Sequence, residues 1–215
     1  YKGSRRSIFT LYIGATLYRL LAASYSLGPT VWHSKKETEK LFPEIDKKNL
    51  KGSISFYDAQ MDEKGLSKWL EKKAKENNVN IYDNTQIKFF NNDGELFINN
   101  KIKKYDLIIN AAGPWAYDLN KKNNIKTNYS LELIRGSHLV IEKRSKNYFI
   151  FQESDGKRIV FVLPYLGKTL IGTTEVKQDL NDPIICSDDE RDYLLDIYNH
   201  KFLEKISKDE ILSTF

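Results

Sequence analysis

The chain has 215 residues, 40% hydrophobic and 13% aromatic, enough apolar material for a real core in one large domain or two small ones. Its 34 basic and 29 acidic side chains leave a net charge of +5, and their interleaving gives a solvated surface with no basic-aromatic nucleic-acid motif. One cysteine, Cys186, excludes an intramolecular disulfide, and His33, His138 and His200 form no metal-type spacing with it.

No apolar run reaches the roughly 18 residues of a spanning helix, and no cleavable signal pattern opens the chain. The sequence begins without a start methionine and ends on Ile211-Leu212-Ser213-Thr214-Phe215, which reads as an unfinished strand, so a piece of something longer is expected.

Ile8–Leu21 (IFTLYIGATLYRLL) is apolar over most of its circumference, with Arg19 its only charge. It is either a core helix or one lying on a membrane face, where Arg5 and Arg6 would suit anionic headgroups; burial in the core is the simpler expectation. Ser34 and Glu37 make a capping box for a short helix through Leu41, stopped by Pro43. Residues 51–57 (KGSISFY) predict a strand.

Leu66, Trp69, Leu70 and Ala74 then fall on one face of an amphipathic helix expected to dock on a sheet and to end at Asn77-Asn78. Residues 79–82 predict a short strand, and 86–90 are expected to pair with Glu95–Ile98 across Asn92-Asp93-Gly94. The run 105–110 (YDLIIN) has the continuous apolar character of a strand covered on both faces. It exits into Ala111-Ala112-Gly113-Pro114-Trp115, small residues that either admit a flat ligand or another backbone, or simply leave the strand for a loop. A polar loop at 121–126 (KKNNIK) is the candidate boundary.

The stretch 133–174 divides into four short runs rich in β-branched and aromatic residues, an antiparallel meander with turns at Ser154-Asp155-Gly156 and at 164–167. Its strand ends carry Arg135, Ser137, His138, Gln152, Lys157, Arg158, Thr173 and Thr174, a polar set suited to lining a site. Ser187 and Glu190 form a second capping box, opening a helix whose Leu194, Ile197, Tyr198 and Phe202 face the core.

Several of these elements, taken together, resemble the FAD-dependent glycerol-3-phosphate dehydrogenases of the D-amino-acid-oxidase-like flavoprotein class. They are Tyr57-Asp58-Ala59-Gln60-Met61-Asp62, Ile109-Asn110-Ala111-Ala112-Gly113-Pro114-Trp115, Ile134-Arg135-Gly136-Ser137-His138, Lys157-Arg158-Ile159-Val160-Phe161-Val162-Leu163-Pro164 and Ile171-Gly172-Thr173-Thr174-Glu175. The resemblance implies an α+β (mixed α/β) fold, a partial FAD-binding sheet-and-helix domain plus an antiparallel-sheet substrate domain with flanking helices. The corresponding segments are 1–59, a helical part with an edge strand; 60–124, part of the FAD-binding domain; and 125–215, the substrate-binding domain. Two family landmarks are expected outside these residues: the Gly-x-Gly-x-x-Gly turn that receives the FAD pyrophosphate, and a downstream serine-glycine-valine-arginine element.

By the same resemblance the reaction is oxidation of sn-glycerol 3-phosphate to dihydroxyacetone phosphate, with FAD as cofactor and a quinone as electron acceptor. His138 would accept the C2 hydroxyl proton, although from the residues alone a structural histidine of the meander fits equally. Arg158 would hold phosphate, with Lys157 beside it; neighbours on a strand face opposite ways, so at most one enters the site, and a solvent-facing pair remains the alternative. Thr173 would contact substrate or flavin, Gly113 and Pro114 would pass beside the cofactor, and Asn80 and Ile81 would lie along the adenine; no metal is expected.

The implied setting is peripheral on an energy-transducing membrane, the mitochondrial inner membrane or a bacterial cytoplasmic membrane, with self-association open and nucleic acid not a partner. The compact hairpin at 95–104 lacks the insertion expected of the oxygen-using glycerol-3-phosphate oxidases, which favours the dehydrogenase. A non-catalytic basic binding module is the reading from another class. With the glycine-rich turn absent from these residues, the chain alone is expected to be inactive and to expose the apolar edge of 107–110.

Overall fold

A computed structural model describes residues 1–153 and 158–215. In chain order, helix α1 (Ile8–Leu21) is followed by strand β1 (Val31–Ser34), helix α2 (Lys35–Leu41), strand β2 (Gly52–Ser55), helix α3 (Glu63–Glu76), and strands β3 (Phe89–Phe90), β4 (Glu95–Ile98) and β5 (Lys101–Lys104). A 3-10 turn at Gly113–Trp115 leads into helix α4 (Ala116–Lys122), and strands β6 (Ile134–Arg135), β7 (His138–Ile141), β8 (Phe149–Gln152), β9 (Ile159–Tyr165), β10 (Lys168–Gly172) and β11 (Val176–Lys177) come next. Helix α5 (Asp188–Lys201) and strand β12 (Ile211–Thr214) complete it. The mix of helices and antiparallel sheets is the expected fold class.

Two compact units result: Tyr1–Asp58 together with Ile134–Phe215, and Ala59–Leu133. The expected boundary at 59/60 lies beside this division, and residues 125–133 belong to the second unit.

The first unit is built on a five-stranded antiparallel sheet in the order β12-β7-β10-β9-β8. Strands β8, β9 and β10 form the expected meander, while β7 leaves β8 and pairs instead with β10 and β12. Alternation puts Leu139, Ile141, Val160, Val162 and Ile171 on one face of the sheet, all essentially inaccessible. Against that face α5 presents Leu194, Leu195 and Tyr198, with Phe202 just after the helix. Tyr198 and Phe202 stack at 4.4 Å, and Phe202 meets Phe149 and Phe151 edge-on at 5.4 and 5.5 Å. The Ser187–Glu190 and Ser34–Glu37 capping boxes both form, so α5 and α2 start where their sequences require.

The turn joining β9 to β10 is shorter than expected. Pro164 stays in β9 opposite Thr169, and Leu166 and Gly167 alone make the reversal, both at positive φ (46° and 78°), a type I′ hairpin. The other expected turn, Ser154-Asp155-Gly156, lies outside the described residues, as does Lys157.

Burial of α1 in a core is not found. One side rests on the two-stranded β1–β2 sheet and its exit, through Tyr12 against Trp32 and Tyr18 against Phe56, yet no residue of the helix is buried, and Leu20 and Leu21 are 66% and 77% exposed. A two-stranded sheet is too narrow to cover a helix that is apolar on most sides.

In the second unit β3, β4 and β5 form a three-stranded antiparallel sheet around Phe90 and Ile98. The expected strand 86–90 is cut to its last two residues. The turn before β4 is held by the Asn91 carboxamide oxygen, which accepts from the backbone N–H groups of Asp93 and Glu95, both at 3.0 Å. Asn99 and Asn100, at φ of 51° and 60°, turn β4 into β5.

Three other expectations for this unit fail. Residues 79–82 are not a strand: Asn78 takes a left-handed φ of 62° and the Val79 N–H caps α3 by donating to the Ala74 carbonyl at 3.0 Å, which commits the backbone to a helix end. Residues 107–110 form no strand, because no described segment pairs with them; Leu107 and Ile109 stand 74% and 77% exposed, the open apolar stretch expected of this chain by itself. The apolar face of α3 is likewise not covered by the sheet of its unit, with Trp69 and Leu70 half-exposed.

These burial differences predict unequal costs of truncation. Leu194→Ala should lower the unfolding free energy in urea by about 2–5 kcal/mol. Leu70→Ala, at an exposed position, should change it by no more than about 0.5 kcal/mol.

Candidate functional site

The polar residues expected to line a site separate in the structure into a buried lock and an adjoining shelf. Glu190, in the first turn of α5, is 6% exposed, and five donors reach its carboxylate. Oε1 accepts from Ser137 Oγ at 2.9 Å and Thr174 Oγ1 at 2.6 Å; Oε2 accepts from Arg135 Nη2 at 2.7 Å and from the Ser187 N–H and Oγ at 3.0 and 2.9 Å. Each hydroxyl is used twice. Ser137 Oγ also accepts from Arg135 Nη1 at 2.7 Å, and Thr174 Oγ1 accepts from the Ser137 N–H at 2.9 Å. Burial alone would push the Glu190 carboxyl up, but the bonds from Thr174, Ser187, Arg135 and Ser137 overcome it and hold the group down at about 2.

His138 follows this lock directly and opens β7. Its Cα lies opposite Gly172 of β10, which in turn faces Phe161 of β9, and its backbone exchanges both hydrogen bonds with Phe215 at 2.7 and 3.2 Å. The imidazole stacks on the Phe215 ring at 5.0 Å and lies flat over Gly172, where a Cβ would come within 2.2 Å of its Cδ2. Gly172 is therefore glycine to make room for the ring. The imidazole is half-buried, its Nδ1 is buried with no hydrogen-bond partner among the described residues, and desolvation lowers its pKa from the ordinary 6.5, which favours the neutral ring.

Thr173 borders the same shelf. Its hydroxyl lies 3.3 Å from the Ser137 carbonyl and 3.1 Å from that of Thr174, and it fits only because Gly136, where a Cβ would meet it at 2.2 Å, is bare. Arg158 sits just before β9 and lays its guanidinium 5.8 Å from the centre of the Tyr193 ring on α5. That side of the sheet carries the core; His138, which alternates with the buried Leu139, faces the other.

In the second unit, Gly113 and Pro114 are exposed in the 3-10 turn. Gly113 has a φ of 54°, and nothing stands within 4 Å of a Cβ placed there, an opening that fits close approach of a flat cofactor to the backbone. The loop is pinned by Asn110, whose amide donates to the Ala116 carbonyl at 2.9 Å and to Asn120 Oδ1 at 2.8 Å while its oxygen accepts from the Ala112 N–H at 3.2 Å. Asn80 lines an open cleft of about 610 Å³ with Tyr82, Lys103, Lys104 and Tyr105, and Ile81 is half-buried beside it.

Two residues that organise these sites escaped the sequence reading. Glu190 was recognisable only as a capping-box residue, since its contacts with Arg135, Ser137 and Thr174 join positions more than a dozen residues apart. Asn110 carried a local signal, an amide at the end of an apolar run just before small residues.

The lock gives a pH expectation. A carboxyl held at about 2 instead of the ordinary 4.5 contributes stability fully present above 4.5 and lost as pH falls from there towards 2. The contribution is about 3 kcal/mol, at about 1.4 kcal/mol per pH unit. Urea unfolding at stepped pH should show that decline, and Glu190→Gln should start lower and lack that part of the slope. Gly172→Ala should displace the imidazole, moving the His138 ring resonances while the Leu194 methyls stay in place.

Comparison with known proteins gives this architecture its relatives. The chain is 32% identical to the aerobic glycerol-3-phosphate dehydrogenase of Staphylococcus haemolyticus, over 98% of its own length and 40% of the relative's. It is 28% identical to the enzyme of the same name from Staphylococcus aureus strain USA300, covering all of this chain and 42% of that one. It thus spans about two fifths of the length of these curated relatives.

Among solved structures, the glycerol-3-phosphate dehydrogenase from Bacillus halodurans complexed with FAD matches with a TM-score of 0.73 at 25% identity, over 94% of this chain and 46% of that one. The L-alpha-glycerophosphate oxidase from Mycoplasma pneumoniae with FAD bound shares the fold, with a TM-score of 0.71 at 22% identity, over 99% of this chain and 58% of the other. The family model for FAD dependent oxidoreductases matches residues 6–214, and the chain belongs to that family, a flavoprotein class whose cofactor is FAD.

Proposed function

We propose that the protein carrying this chain oxidises sn-glycerol 3-phosphate to dihydroxyacetone phosphate and passes the electrons through FAD to a quinone. The observation that carries the reading is the half-buried His138 imidazole, laid over Gly172 on the sheet face away from α5, where desolvation favours its neutral form. Gly113 and Pro114 would pass beside the flavin, and Asn80 and Ile81 would lie along the adenine. When bound, FAD supplies the acceptor for the hydride from C2 of the alcohol.

The protein's own part is to hold the alcohol and take its proton. His138 removes the proton from the C2 hydroxyl and Thr173 orients the substrate beside it; Arg158, which lies over Tyr193 on the α5 side of the sheet, would supply its charged fork to the phosphate only by leaving that ring and rounding the sheet end. A membrane-surface setting is supported by α1, which turns Phe9, Leu17, Leu20 and Leu21 outward behind Arg5 and Arg6. The quinone would then be met at that surface. Reoxidation of the reduced whole protein by a quinone faster than by oxygen is the result that supports the acceptor assignment; the reverse would make the enzyme an oxidase.

In the FAD-loaded whole protein, His138→Gln should lower turnover by about two to four orders of magnitude with flavin content near normal. Unchanged turnover would remove the histidine from the mechanism. Arg158→Ala should act mainly by raising KM, and an unaltered KM would leave the arginine only its place over Tyr193. The 215-residue chain by itself should purify without stoichiometric flavin, because no glycine-rich pyrophosphate turn is among its residues; a yellow protein would show otherwise.

A further inference from the structure

We propose that Glu190 is a positioning residue for His138 and Thr173: its carboxylate fixes the two strand ends that carry them. The proposal rests on the function just given, in which those two side chains meet the substrate.

The geometry runs through two short paths. From Glu190 Oε1, Ser137 Oγ leads along one residue of backbone to His138. From the same oxygen, Thr174 Oγ1 leads back one residue to Thr173. The paths are tied to each other, since the Ser137 N–H donates to Thr174 Oγ1 at 2.9 Å and the Thr174 N–H donates to the Ser137 carbonyl at 3.3 Å. Arg135 closes the arrangement from the other side by donating to both Ser137 Oγ and Glu190 Oε2.

Nothing else in these contacts fixes the hydroxyl protons. Thr174 Oγ1 accepts from the Ser137 N–H, so its own proton must go to Glu190; Ser137 Oγ accepts from Arg135, so its proton goes there too. A carboxylate can receive both. A carboxamide offers one oxygen and one N–H₂: at the Oε1 position the N–H₂ would face the Ser137 and Thr174 hydroxyls, and at the Oε2 position it would face Arg135, which is tied to Ser137 Oγ, and the Ser187 N–H, so the lock is disturbed either way. The shelf tolerates little movement, because the imidazole and the Thr173 hydroxyl are each seated against a bare glycine.

The test uses Glu190→Gln, with Leu195→Ala as the control that loosens α5 from the core without touching the carboxylate. In the full chain, Glu190→Gln should shift the His138 ring resonances at fixed neutral pH, and Leu195→Ala should leave them in place. In the FAD-loaded whole protein, Glu190→Gln should cut turnover on sn-glycerol 3-phosphate by about a hundredfold, the scale of a misplaced reacting group, with KM little changed. Thr174→Val, which removes one arm of the lock, should do the same to a smaller degree and serves if Glu190→Gln fails to fold. Unmoved His138 resonances in both lock variants, or an equal shift in Leu195→Ala, would overturn the proposal. Displaced resonances in a protein that leaves sn-glycerol 3-phosphate untouched would support the positioning role and sink the substrate assignment instead.

Discussion

A buried carboxylate is tolerable only when its charge is fully met, and at the start of α5 that requirement dictates what surrounds Glu190. Arg135 supplies the opposite charge, Ser137, Thr174 and Ser187 supply hydroxyls, and the Ser187 N–H is one of the unpaired donors that any helix N-terminus leaves. Removing one side of such a buried pair leaves the other charge unmet, which typically costs about 3–5 kcal/mol. The helix dipole adds to the fit, since a negative group belongs at a helix start. One interaction therefore does the work of a helix cap, a junction between two strand ends and a tie from helix to sheet.

The sheet face beneath α5 shows why this arrangement can be rigid. Leu139, Ile141, Val160, Val162 and Ile171 leave no room for adjustment on that side, so changes at the sheet end must be expressed on the other face, where His138 lies. The second unit has a different economy of contacts. Its inner residues are few, Phe90 and Ile98 foremost, and local devices hold it: the Asn91 turn, the paired asparagines between β4 and β5, and Asn110 across the loop that carries Gly113.

Local chemistry was legible in the sequence and remote chemistry was not. Both capping boxes, α5 with its inward Leu194 and Tyr198, and the meander strands could be read because their signals span a few residues. Residues 79–82 misled because an alternating pattern does not reveal that Asn78 will turn left-handed and spend the Val79 N–H on a helix cap. Residues 107–110 and the face of α3 have the composition of covered elements, but cover is supplied by other segments and cannot be read from the element itself. At the site, Gly136 and Gly172 could be noticed in the motifs, whereas their use as seats for Thr173 and His138 depends on strand register. Glu190 carried an obvious local role that concealed its distant one.

The order of the sheet has a consequence for how the chain assembles. Strand β7 lies between β10 and β12, both later in sequence, and its pairing with β12 joins Leu139 to Thr214. During synthesis β7 leaves the ribosome well before either neighbour, and a strand with both edges unpaired is open to foreign partners. The β9–β10 hairpin can close as soon as its two-residue turn appears, so it offers β7 a first edge, and β12 seals the second only after α5 has been made. The imidazole shelf is thus finished among the last events of folding, and in a pulse-labelled refolding experiment the amides of β7 facing β12 would gain protection after those of β9 and β10.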